Sequence, residues 1–165
     1  FYACACFAQI VNPVTIDVTS DSLVRAGEVV NIEISAKMEQ QWKIYSIYKI
    51  VDGPLPTEIN IKGDIISEIG KVIEPEPIKE YDPGFDVTSF YHKGNTLFSS
   101  QVLLKGDLPP GNYEISVMTY YQVCNERLCY PPVEMIMWVN VKVWQGGRGM
   151  EKTNLNCLKK ILYKT

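Results

Sequence analysis

Two cysteines carry the clearest chemical signal in this 165-residue chain, in the run Cys124-Asn125-Glu126-Arg127-Leu128-Cys129-Tyr130-Pro131-Pro132. Four residues lie between them, a spacing that a disulfide can close across a hairpin tip. As a structural staple, so short a loop contributes only on the order of 2 kcal/mol, little for a domain of this size. Zinc is poorly served, because two thiolates and His92 do not complete a ligand set. A copper(I) site is a second alternative, with Met118, Met135 and Met137 joining the thiols. A redox-active pair is the reading that also accounts for the neighbours. Pro131 and Pro132 withhold two N–H groups just past Cys129 and keep that edge from pairing fully. Arg127 favours a thiolate, and Glu126 opposes it. His92, in Tyr91-His92-Lys93-Gly94, reads as a solvated turn residue.

The other three cysteines fall at the ends. Cys4 and Cys6 belong to residues 1–8, an apolar stretch ending small-any-small at Cys6-Phe7-Ala8, which reads as the remnant of a secretory signal peptide cleaved after Ala8. Export places the rest of the chain where disulfides form. Residues 9–145 then make one domain. Gln145-Gly146-Gly147-Arg148-Gly149 marks a flexible break, and residues 146–165 read as a Lys-rich, flexible or weakly amphipathic tail in which Cys157 is a bystander. With 46% hydrophobic residues and a net charge of −3, the composition is that of a globular protein. Without a basic stripe, nucleic acid is not expected as a partner.

The elements that must position the pair read as strands. Val14, Ile16 and Val18 alternate with polar residues, as do Val30, Ile32, Ile34, Ala36 and Met38. Further strands are expected over 42–49, 57–62, 96–104, 113–123 and 134–144. Seven or eight strands at this spacing predict an all-β, immunoglobulin-like β-sandwich with the cysteine pair at a hairpin. Leu108-Pro109-Pro110-Gly111-Asn112-Tyr113 places a Tyr where such folds bond it back to the preceding turn. Residues 69–95 fit no strand well. With Pro75, Pro77, Pro83 and the aromatics Tyr81, Phe85, Phe90 and Tyr91, they read as a long functional loop.

The motifs Gly53-Pro54-Leu55-Pro56-Thr57-Glu58, Trp42-Lys43-Ile44-Tyr45-Ser46 and Tyr121-Gln122-Val123-Cys124 to Cys129-Tyr130-Pro131-Pro132 together resemble the N-terminal periplasmic domain of DsbD-type thiol:disulfide interchange proteins. The resemblance runs from about Val14 to Val143. It implies a periplasmic protein-disulfide reductase module that needs no cofactor and relays electrons through Cys124 and Cys129. A membrane-embedded electron donor domain, fused or separate, would supply it. Thioredoxin-like proteins or disulfide isomerases would receive the electrons. By the same resemblance, Cys129 forms the mixed disulfide and Cys124 resolves it. Phe85 matches the family's cap, with Phe90 and Tyr91 as neighbouring candidates. Trp42, Tyr45, Tyr130 and Pro131 surround the pair. The alternative is a binding or assembly module with an inert disulfide.

Overall fold

The structure is a computed structural model that describes residues 12–144. The expected signal-peptide remnant, the tail and Cys4, Cys6 and Cys157 lie outside the described residues. Within them are twelve strands, numbered in chain order, in three four-stranded sheets. The first sheet runs β1 (Val14–Ser20), β3 (Val29–Met38), β9 (Asn95–Leu104), β6 (Ile66–Ile69). The second runs β2 (Leu23–Val24), β12 (Val133–Val143), β10 (Gly111–Tyr121), β5 (Glu58–Lys62).

Period-two patterning explains why these two sheets pack. In β3 every second side chain is buried, from Val30 through Ile32, Ile34 and Ala36 to Met38. Ile115 and Val117 of β10 and Val139 and Val141 of β12 bury one face in the same way, and all join one continuous core with Phe98 and Val102. The result is an immunoglobulin-like sandwich, as the alternation predicts. Tyr113 O–H donates to Pro109 O at 2.8 Å, the expected return bond to the Pro-Gly turn. Tyr113→Phe should lower stability by about 1 kcal/mol in chemical denaturation, with the slope unchanged.

The third sheet, β11 (Val123–Cys124), β4 (Lys43–Tyr45), β8 (Val87–Lys93), β7 (Ile78–Asp82), corrects two expectations. The strand expected over 42–49 is only three residues long, Lys43–Tyr45, and its last bond to β8 is Ser46 N–H to Phe90 O at 2.9 Å. Much of residues 69–95 is not loop, since β7 and β8 form an antiparallel hairpin pairing Ile78 with Tyr91 and Asp82 with Val87. Phe85 lies in the tight turn at its tip.

His92 is the third correction. It is not a solvated turn residue but a buried member of β8. Its Nε2 lies 2.9 Å from Glu74 Oε2, and its ring meets Phe98 edge-on at 5.5 Å. Ser46 O–H donates to Glu74 Oε1 at 2.5 Å and Ile47 N–H donates to Oε2 at 3.1 Å. Burial alone would raise the Glu74 carboxyl. The bonds from His92, Ser46 and Ile47 outweigh that and hold it below its ordinary range. An ionised carboxylate only accepts, so the His92 Nε2 carries the shared proton. This cluster ties the chain entering β7 to β4 and β8.

Candidate functional site

Strand pleating decides which side chains meet the cysteines. Cys124 pairs with Lys43 across β11 and β4, Lys43 with Lys93, and Tyr45 with Tyr91. Alternation therefore puts Cys124, Lys43, Tyr45, Tyr91, Lys93, Glu80 and Asp82 on one face of the third sheet. Val123, Ile44 and His92 take the other face, toward the sandwich core.

Cys124 and Cys129 form a disulfide with Cα atoms 4.1 Å apart. The two cysteines are unequal in exposure. Cys124 is 1% exposed and packs with Tyr45 and Tyr91 in a small cluster separate from the main core, whereas Cys129 is exposed. Phe85 packs against that cluster and meets Tyr45 edge-on, with ring centroids 6.1 Å apart. Phe85 and Cys129 line the same cleft, of about 490 Å³. Of the other two aromatics named as cap candidates, Tyr91 lies within the cluster and Phe90 points the opposite way, edge-on to Tyr48.

Asp82 holds the hairpin tip in place. Its Oδ2 accepts from Tyr45 O–H at 2.8 Å and from Lys43 Nζ at 3.0 Å, and its Oδ1 accepts from Gly84 N–H at 3.0 Å. Burial would raise this carboxyl. The bonds from Lys43 and Tyr45, the Lys43 charge and the Gly84 N–H together hold it below its usual range. Burial and then Asp82 push the Tyr45 phenol up. Tyr91, also buried, donates to Glu80 and is pushed up to about 12. Both phenols thus stay protonated donors at neutral pH. Lys43 Nζ lies over the Tyr91 and Tyr45 rings at 4.7 and 5.1 Å, which holds a cation beside the cluster that contains Cys124.

Trp42 and Tyr130, named from sequence, are brought together on their own. They stack with centroids 4.9 Å apart and planes 21° apart, and Trp42 also packs on the main core. Pleating separates Trp42 from Tyr45, so the two do not share a face. Pro131 is exposed beyond Tyr130. The three methionines do not converge: Met135 and Met137 face the core, and Met118 lies on the outer face of β10. Sequence reasoning missed Lys43, Glu80, Asp82 and Asn125. For Lys43 the alternation with Tyr45 was a usable signal. For Glu80 and Asp82 the missed hairpin hid their register.

The family model of the thiol:disulfide interchange protein DsbD, N-terminal part, matches residues 12–138. The chain belongs to the DsbD N-terminal family. Membership fits the cysteine pair at the β11 hairpin. No curated protein matches by sequence. Solved structures similar to this DsbD N-terminal family domain include the following three. The N-terminal periplasmic domain of ScsB from Proteus mirabilis shares 16% identity over 78% of this chain and 46% of that one, with a TM-score of 0.52. The DsbD N-terminal domain of Neisseria meningitidis in the reduced form shares 14% over 77% and 90%, at 0.47. The DsbD N-terminal domain complexed with the PilB N-terminal domain, also from Neisseria meningitidis, shares 14% over 88% and 95%, at 0.43. At such identities the ScsB likeness speaks for the fold.

Proposed function

We propose that this domain is a periplasmic thiol–disulfide exchange module that relays electrons through Cys124 and Cys129. The observation that carries the reading is the inequality of the two cysteines, one a buried residue and one an exposed residue lining a cleft. Exchange needs one sulfur that a partner can reach and a second that later releases it. In the reduced module the Cys129 thiolate attacks a partner disulfide, forming a mixed disulfide and expelling one partner thiolate. Cys124, as thiolate, then attacks Cys129 Sγ and expels the second partner thiolate. Two electrons pass to the partner, and the protons lost by the module's thiols re-form the partner's thiols. Phe85, packed on the cluster that contains Cys124, shields the buried member of the pair between encounters.

The receiving proteins under this reading are thioredoxin-like proteins or disulfide isomerases, and a membrane-embedded domain restores the dithiol. Cys124→Ala should accumulate a mixed disulfide through Cys129 when the reduced variant meets a thioredoxin-like partner in its disulfide form, read on a non-reducing gel. Trapping only in the Cys129→Ala variant would reverse the assignment. No trapping in either, with a pair that resists glutathione, would leave an inert staple.

A further inference from the structure

The loop between the cysteines carries its own closing device. Asn125 N–H donates to Leu128 O and Tyr130 N–H donates to Val123 O, both at 2.9 Å, on either side of the antiparallel Cys124–Cys129 bridge. A cross-strand pair framed in this way is the non-hydrogen-bonded kind, whose side chains stand closest. Inside the loop, Asn125 Oδ1 accepts from Arg127 N–H at 2.8 Å and from Leu128 N–H at 3.0 Å. One amide oxygen thus fixes the turn, as Asn does at the first position of a tight turn. None of these four bonds involves sulfur, so the same loop is available to the dithiol.

We propose that Asn125 is a positioning residue for exchange: it keeps the loop closed when the S–S bond is open and so sets how strongly the pair favours the disulfide. The inference rests on the exchange reading above. When the reduced pair meets glutathione disulfide, Cys129 attacks one glutathione sulfur and expels a glutathione thiolate. Cys124 then attacks Cys129 Sγ and expels the second, and the two thiol protons of the pair pass to the released glutathione. Two electrons move from the pair to glutathione. The second step is intramolecular, so its equilibrium follows the effective concentration of Cys124 at Cys129. A loop that opens on reduction lowers that concentration. In the mixed disulfide with a protein partner, it would also slow release.

The test equilibrates the parent, Asn125→Ala and Asn125→Asp across reduced-to-oxidised glutathione ratios, with thiol alkylation as the readout. Asn125→Ala should lower the equilibrium constant for disulfide formation about tenfold, the loss of two modest hydrogen bonds. Asn125→Asp retains an acceptor oxygen and should stay close to the parent. The oxidised Asn125→Ala protein, held closed without those two bonds, should therefore unfold at a lower midpoint than the oxidised parent, and the two reduced proteins should differ less. An unchanged constant in Asn125→Ala, or equal losses in Ala and Asp, overturns the role of Asn125 alone. A parent pair that never equilibrates with glutathione overturns the exchange reading, and this inference with it.

Discussion

Glu74→Ala is expected to lower the stability of the domain by about 3 kcal/mol, because it strands three donors at once, two of them on buried residues. Ser46 Oγ, Ile47 N–H and His92 Nε2 all bond this one carboxylate, whose side chain is 4% exposed, as is that of His92. Glu74→Gln keeps the shape and an acceptor, and should lose clearly less. Urea unfolding checks both, and equal losses would mean that packing, not the carboxylate, matters. The pH dependence follows from the sign of the shift. Glu74 and Asp82 are both held below their ordinary values in the folded chain. Their contribution is therefore fully present above the unfolded carboxyl range, near pH 4, and is lost as pH falls through the lower folded values. Melting temperature should accordingly be insensitive to these groups at neutral pH and drop in acid. In Glu74→Gln the acid decline should be shallower.

The second large effect concerns access to the reduced pair. Phe85→Ala should raise the rate at which small alkylating reagents modify the thiols several-fold, since Phe85 is the ring packed on the Tyr45–Tyr91–Cys124 cluster at the hairpin tip. The turn itself should persist, because Asp82 still receives Tyr45, Lys43 and Gly84. Equal rates in parent and variant would show that the ring does not shield the sulfurs. Cys129 should react first in both proteins, as Cys124 is the buried member.

The sandwich was legible because its long strands bury one face each. β1 and β3 show that alternation in their residue types, and the expected limits of these two and of β9, β10 and β12 are close to the observed ones. The third sheet was not legible, for a physical reason. β7 is an edge strand whose first four residues, Ile78 to Tyr81, are exposed on both faces, so no buried face appears in its sequence. β8 is covered on both faces, with Ser89 and Tyr91 against the site and His92 against the core, which also erases the alternation. His92 was misread because Lys93-Gly94 follows it and turns the chain; Gly94 has φ +69°. The cysteine pair itself needed no tertiary information. Its support by Lys43, Tyr45 and Asp82 did, because β4 meets the β7–β8 hairpin only through long-range pairing.

The small cluster around Cys124 is detached from the main core, with Ile44 and Val123 turned inward and Tyr45 and Cys124 turned outward. That division decouples wear from architecture. Under the exchange reading, a bond made and broken repeatedly would act chiefly on a few aromatic side chains and one turn, with the sandwich beneath as a chassis.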